Sequence, residues 1–160
     1  MPAFYLDASA MVKRYAPESG SELVNALFTR VPAQQHIVSI WTVAETVAAL
    51  NRKRNSAQMT SSALASAVNL LLTETDALWQ VKVDSASVRD SLDLITRHNI
   101  NATDALHLHI VLHLQRLLAQ FGTDIVLVTS DHRLLNAAEA EGLRTIDPEQ
   151  ASEAELKKFF

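Results

Sequence analysis

Short apolar runs alternate along this chain with longer segments whose apolar residues recur every three or four positions. The runs are typical of buried strands, and the longer segments are typical of amphipathic helices. The pattern predicts five strands: Ala3–Leu6, His36–Ile40, Trp79–Val83, Ile125–Val128 and residues 143–146. Because at least one helical segment separates each strand from the next, the order favours a parallel α/β sheet covered on both faces.

Polar residues at the starts of the helical segments predict where the helices begin. Ser9 is expected to cap the first helix, and Thr42 with Glu45 has the spacing of a capping box. Ser130 or Asp131 is expected to cap the helix that follows the fourth strand. These assignments place the helix starts directly after strand ends.

Composition narrows the class of protein. The 160 residues, 48% hydrophobic and 20% charged, predict one domain over residues 1–160. Cysteine is absent, which excludes disulfides and thiolate zinc sites, and we expect a cytoplasmic protein. No apolar run reaches the roughly 18–20 residues that span a bilayer, so no membrane association is expected. The net charge of −4 gives no general attraction for nucleic acid, although local cations and bound metals can reverse the field.

Four acidic residues interrupt otherwise apolar segments where strands give way to helices. Asp7 and Asp131 follow strands, and Glu45 and Asp104 lie near helix starts. Each alone also fits an ordinary capping or first-turn role. Ligands bind beyond the carboxyl ends of parallel strands, so we expect the four in one cleft. Four carboxylates repel one another unless a divalent cation compensates their charge, and a site of oxygen ligands favours Mg²⁺ or Mn²⁺.

Four segments carry a resemblance to a known family. They are YLDASAMVKRYAPESGS, SIWTVAETVAAL, ATDALHLHIVLHL and VLVTSDHRLLNAAEAEGL. In this order they resemble the PIN-domain family, specifically its VapC-type toxin branch, over nearly the whole chain; residues 52–100 match loosely. The resemblance implies a PIN-like three-layer fold, with a central parallel sheet of about five strands flanked by helices. It also implies a Mg²⁺- or Mn²⁺-dependent ribonuclease.

The resemblance assigns the family's four acids to Asp7, Glu45, Asp104 and Asp131. We expect Asp7 and Asp104 to bind metal directly, and Asp131 to bind a metal or its water shell. Glu45 either ligates or orients the attacking water. Three hydroxyl residues are placed to hydrogen-bond these carboxylates: Ser9, Thr103 and Ser130. Three cations near the acids are expected to contact RNA phosphates: Lys13, Arg14 and Arg133. His107, one turn after Asp104, lies within possible reach of the cleft, although a core histidine is the more ordinary interpretation.

The VapC branch also implies partners. These are an RNA substrate, a small antitoxin that blocks the acidic cleft with one of its segments, and a second copy of the chain, bound through helices near the N-terminal half. Three other functions stay open on the sequence. One is a PIN nuclease of RNA processing without an antitoxin, and another is a non-catalytic binding module stabilised by metal. The third is a receiver-like phosphoryl-transfer protein, which would need an acidic pair beside the first strand where this chain has Asp7 alone.

Overall fold

Five parallel strands form the centre of the molecule in the computed structural model, which describes residues 1–159. The strands are β1 (Ala3–Leu6), β2 (His36–Ser39), β3 (Trp79–Val81), β4 (Ile125–Val128) and β5 (Arg144–Ile146). They pair in the order β3-β2-β1-β4-β5. All five predicted strands are confirmed, with β2 and β3 ending one and two residues earlier than predicted.

Helices connect the strands and cover the sheet. They are α1 (Ala8–Tyr15), α2 (Ser21–Arg30), α3 (Ile40–Asn55), α4 (Ser61–Thr75), α5 (Ser85–His98), α6 (Ala102–Ala119), α7 (His132–Ala140) and α8 (Glu153–Leu156). Short 3₁₀ turns lie at Ala33–Gln35 and Lys157–Phe159. None of these helices is long and apolar enough to cross a membrane.

The core has two parts, one on each face of the sheet. Phe4 and Leu6 belong to the part formed with α1 to α4 and the C-terminal segment, whereas Ala3 and Tyr5 pack with α5, α6 and α7. Successive strand residues point to opposite faces, so a strand buried on both sides has to be apolar at every position. The predicted three-layer fold is therefore confirmed.

The direction in which successive strands are added to the sheet reverses between β1 and β4. From β1 the chain builds one half of the sheet through β2 and β3, and then returns to β4 and β5 on the other side. Leu6 pairs with Val128, so β1 and β4 end side by side. In open parallel sheets the cleft for ligands lies at such a switch point.

The structure decides between two predicted caps for α1, and the predicted start of α3 is wrong by three residues. Asp7, not Ser9, caps α1, accepting a hydrogen bond from the Ala10 N–H at 3.0 Å. Ser39, not Thr42, caps α3, accepting from the Thr42 N–H at 2.9 Å. Because Thr42 already lies inside the helix, it forms no capping box with a residue further along. Asp131 caps α7, as one of the two predicted alternatives.

The C-terminal segment adds an element that the sequence pattern did not predict. Leu156 of α8 is fully buried, and the Phe159 ring lies 5.9 Å from the ring of Phe4 in an edge-on arrangement. This short helix therefore closes the core on the side of α1 and α2.

Candidate functional site

Asp7 lies at the centre of the sheet's carboxyl edge, directly after β1. Its carboxylate is buried and accepts hydrogen bonds from the Ala10 N–H at 3.0 Å and from the Ser9 hydroxyl at 2.8 Å. Burial raises the pKa of Asp7 above its ordinary value, and these hydrogen bonds act in the opposite direction. Ionisation of Asp7 is therefore unfavourable at this buried position, and the two hydrogen bonds hold its carboxylate in one orientation.

Ser9 joins the two strand ends. Besides donating to Asp7, its hydroxyl oxygen accepts a hydrogen bond from the Ser130 N–H at 2.8 Å, and it lies 3.3 Å from the Thr129 hydroxyl. Thr129 in turn accepts from the Asp131 N–H at 3.0 Å. This network fixes the segment after β4, and with it Asp131, against the start of α1.

Asp104 projects from the first turn of α6. The helix begins at Asn101, whose side chain accepts a hydrogen bond from the Asp104 N–H at 2.8 Å. The Asp104 carboxylate is buried, and its Oδ2 atom has no hydrogen-bond partner among residues 1–159. A buried carboxylate oxygen without a donor is unfavourable unless another positive group satisfies it.

The pKa of Asp104 responds to the charges of the other three acids. Its pKa is raised to about 6, first by burial, then by the negative charge of Asp131 and, more weakly, by Asp7 and Glu45. His107 acts in the opposite direction. Asp7, Glu45 and Asp131 therefore lie within electrostatic reach of Asp104.

Glu45 lies on the second turn of α3 and lines a cavity of about 350 Å³ together with Ser9 and Ser130. Its Oε2 atom is 2.7 Å from Nε2 of His107. The other ring nitrogen, Nδ1, is 2.7 Å from the Tyr5 hydroxyl. Glu45 is thus connected through a buried histidine to the central strand.

The donor set fits a hard divalent cation. Carboxylate oxygens are the ligands that Mg²⁺ and Mn²⁺ prefer, and the unpartnered Oδ2 of Asp104 offers one. Within residues 1–159, however, no three His, Asp or Glu side chains lie close enough together to hold one ion as they stand. An ion here would need waters to complete its coordination shell, as Mg²⁺ commonly does, or a small closure of side chains.

Two of the three predicted hydroxyl contacts to the carboxylates do not form in the described chain. Thr103 lines an apolar groove with Trp41 and Leu92, because it lies one residue before Asp104 and points about 100° away around the helix. The Ser130 hydroxyl is buried without a partner. Ser9 alone makes the predicted bond.

The three predicted cations differ in position. Lys13 is buried and lines the same cavity as Glu45, with salt bridges to Glu18 at 2.9 Å and to Glu149 at 2.6 Å. Arg133 is exposed on the first turn of α7, beside Asp131.

Arg14 is directed away from the acids, contrary to its predicted phosphate contact. It pairs with Glu74 of α4 at 2.6 Å, and its guanidinium lies 5.1 Å from the centre of the Phe28 ring. Adjacent helical residues project about 100° apart, so Arg14 lies on a different face of α1 from Lys13. Arg14 instead connects α1 with α4.

A family model for the PIN domain matches residues 4–140, a range that includes all four acids. The chain belongs to the PIN domain family. The proteins of this family are nucleases, which are hydrolases that act on nucleic acid.

Solved structures of similar fold match most of the chain. VapC20 of Mycobacterium tuberculosis, a toxin that cleaves the sarcin–ricin loop, is 15% identical with a TM-score of 0.61, covering 84% of this chain and 95% of its own. FitAcB of Neisseria gonorrhoeae is 15% identical with a TM-score of 0.60, covering 92% and 99%. A toxin–antitoxin complex of Klebsiella pneumoniae is 12% identical with a TM-score of 0.57, covering 91% and 97%. At these identities the comparison shows a shared fold. No curated protein matches the sequence significantly.

Several residues of the PIN-domain cleft were missed or undervalued from the sequence. Arg52 lines the cavity from α3. It follows Glu45 by two helical turns on the same face, and this spacing in the sequence indicates that the two residues share one cavity. Glu149 enters from the loop after β5 and has no local signal. His107 was treated mainly as a core histidine, because a single chain gives no indication that its partner is an acid 62 residues away.

Proposed function

We propose that this PIN-domain protein is a divalent-metal-dependent endoribonuclease and the toxin of a toxin–antitoxin pair, with residues 1–160 acting as a single nuclease domain. The observation that carries the proposal is Asp104. It is buried, its Oδ2 atom has no donor among residues 1–159, and its pKa is raised to about 6 by burial and by three other acids. Such a group is unfavourable in a metal-free fold and becomes favourable when a cation neutralises it.

The four acids take distinct roles in this proposal. Asp7 and Asp104, both buried, hold the divalent ion, and Asp131 binds the ion or its water shell. Glu45 completes the site or accepts the proton of the attacking water. When bound, a divalent ion polarises the scissile phosphate and lowers the pKa of a water molecule. Ser9 keeps the Asp7 carboxylate in place through its 2.8 Å hydrogen bond.

RNA contacts in the proposal come from cations that line the cavity or lie beside the acids, of which Lys13 is buried and already paired with Glu18 and Glu149. Lys13 and Arg52 line the cavity beside Glu45, and Arg133 lies next to Asp131. Phosphate contacts position a nucleic acid on a protein and do not depend on its sequence. A chain of net charge −4 requires such local cations to offset its overall repulsion of RNA.

Two protein partners belong to the proposal. Because similar folds occur in the toxin VapC20 and in a toxin–antitoxin complex, we assign a small antitoxin to the acidic cleft. The resemblance placed a second copy of the chain on helices near the N-terminal half; we assign it instead to the apolar groove formed by α3, α5 and α6, of which only α3 lies in that half. Trp41, Val88 and Leu92 line that groove and are 48%, 47% and 54% exposed, so together they form a contiguous apolar patch of the kind that marks interaction sites.

Cleavage of a structured RNA pool tests the catalytic part of the proposal. Purified protein is incubated with Mg²⁺, with Mn²⁺ or with chelator, beside the variants Asp104→Asn and Asp124→Asn. Asp124 is an exposed acid before β4, at the opposite edge of the sheet, and serves as the matched control. We expect metal-dependent cutting that Asp104→Asn loses and Asp124→Asn keeps. A folded Asp104→Asn variant that cuts as fast as the wild type would contradict the proposal.

A further inference from the structure

His107 stands between the acidic cleft and the centre of the sheet. It is 2% exposed and makes two hydrogen bonds of 2.7 Å, from Nε2 to Glu45 on α3 and from Nδ1 to Tyr5 on β1. One side chain on α6 thus connects two other elements. Buried ring nitrogens need hydrogen-bond partners, and here one of the two partners is an acid of the cleft.

The partners fix the orientation of the imidazole ring. A carboxylate only accepts hydrogen bonds, so the Nε2–H group donates to Glu45. Burial raises the pKa of Tyr5, so the phenol keeps its hydrogen, and its oxygen lies 2.7 Å from Nδ1 on the other side of the ring. The Tyr5 hydroxyl is itself fully buried, so the chain of two hydrogen bonds begins at a rigid point in the core.

Glu45 depends on this chain for its orientation. Within residues 1–159, His107 is the only group that hydrogen-bonds the Glu45 carboxylate, which is otherwise partly exposed at the cavity wall. A long, flexible glutamate with no such partner would sample several rotamers in water. Groups behind a metal ligand or a general base commonly hold it in the productive geometry.

We infer that His107, held by Tyr5, is a positioning residue that orients Glu45 toward the acidic cleft, an inference that rests on the proposed nuclease function. His107 itself does not touch the substrate or the ion. It acts through the Glu45 carboxylate, which it holds at the wall of the cavity.

Two substitutions distinguish the loss of the hydrogen bond to Glu45 from the loss of side-chain volume at His107. In His107→Gln the side-chain amide nitrogen occupies a position close to that of Nε2, so it can still donate to Glu45. In His107→Asn the shorter amide reaches only the position of Nδ1, and the contact to Glu45 is lost. We expect His107→Asn to weaken Mn²⁺ binding, measured by calorimetry, and to lower kcat for RNA cleavage about 10–100-fold, with KM little changed. His107→Gln should restore most of both.

A double-mutant cycle distinguishes positioning from general loss of structure. If His107 acts through Glu45, then His107→Asn has no further effect on Mn²⁺ affinity or kcat when it is added to Glu45→Gln. A full additional effect in that background, or equal losses in the Gln and Asn variants, would overturn the inference. Circular dichroism and thermal melting establish that each variant is folded. Wild-type protein that binds no Mn²⁺ and cuts no RNA would overturn the proposed function as well, whereas normal cutting without coupling would overturn this inference alone.

Discussion

The two buried aspartates of the cleft differ in how the fold satisfies them. Asp7 accepts hydrogen bonds from Ser9 and from a helix N–H group, whereas Oδ2 of Asp104 has no partner in residues 1–159. Both have pKa values raised by burial. Asp7 is therefore held in place without a metal, and Asp104 is the residue that gains most from one.

The stability of the metal-free protein should depend on pH through Asp104. Its pKa is about 6 in the folded protein and about 4 in an unfolded chain, so the folded state holds a proton that the unfolded state releases between those values. Rising pH then removes this advantage, and ionised Asp104 destabilises the fold above pH 6. Relative to Asp104→Asn, the wild type should lose about 1–3 kcal/mol of unfolding free energy between about pH 4 and pH 7 in chelator.

Urea unfolding of both proteins across this pH range measures the effect. Addition of Mn²⁺ at pH 7 should remove most of the difference, because the cation compensates the charge. If the difference in unfolding free energy between the two proteins stays constant with pH, then the folded state does not raise the pKa of Asp104.

Ser9 and Ser130 offer a matched pair of substitutions at the two strand ends. The Ser9 hydroxyl donates to Asp7 and accepts from the Ser130 N–H, whereas the Ser130 hydroxyl is buried without a partner. We expect Ser9→Ala to destabilise the protein by about 1–3 kcal/mol and Ser130→Ala to change stability by less than about 0.5 kcal/mol. Thermal and urea unfolding compare them. Equal losses in the two variants would contradict the described network.

At the level of elements, helix starts supply the acids with their positions. Asp7 and Asp131 are N-caps, and Asp104 lies in the first turn of α6, where the helix dipole favours a negative charge. The sequence predicted these positions because apolar periodicity marks strand ends and helix starts. It left the cap of α1 undecided because Ser9 and Asp7 both fit, and only the structure shows that Ser9 donates to Asp7.

The packing of the loop that carries Pro148 and Glu149 should depend on Gly20. This glycine has φ +85°, and a Cβ atom there would lie 2.8 Å from the backbone carbonyl of Pro148. Gly142 has φ +77° but open space around the same position. Both alanine variants incur about 1–2 kcal/mol for the left-handed conformation, and Gly20→Ala should lose about 1–3 kcal/mol more. Thermal unfolding measures this, and equal stabilities would refute close packing between Gly20 and Pro148.

At the level of the whole molecule, strand order explains how acids distant in sequence come together. The alternation of strands and helices predicts a parallel sheet of this kind, whose strand order reverses between β1 and β4. This arrangement brings the acids to one edge of the sheet. Contacts between distant side chains were not predictable in the same way. The pairing of His107 with Glu45, the pairing of Arg14 with Glu74 and the return of Phe159 to the core depend on packing that periodicity does not encode.

The proposed second copy on the apolar groove predicts the oligomeric state. Leu92 lines the groove, and Leu72 is an exposed leucine of similar accessibility on α4, at 48% against 54%. Leu92→Glu should convert a dimer into a monomer, because a charge is costly to bury in an apolar interface. Leu72→Glu should leave the dimer intact. Sedimentation velocity distinguishes these outcomes, and a wild-type monomer at high concentration would contradict the assignment.

The most direct test of one shared acidic centre is the rate of RNA cleavage as a function of Mn²⁺ concentration, in the wild type and in four variants. These are Asp7→Asn, Glu45→Gln, Asp104→Asn and Asp131→Asn. We predict a rate that rises with Mn²⁺ and saturates in the wild type, and a loss of at least about 100-fold in each folded variant, as expected when groups act as one unit. Cleavage that persists in chelator, or that survives in Asp7→Asn and Asp104→Asn, would contradict a metal-dependent nuclease built on these four carboxylates.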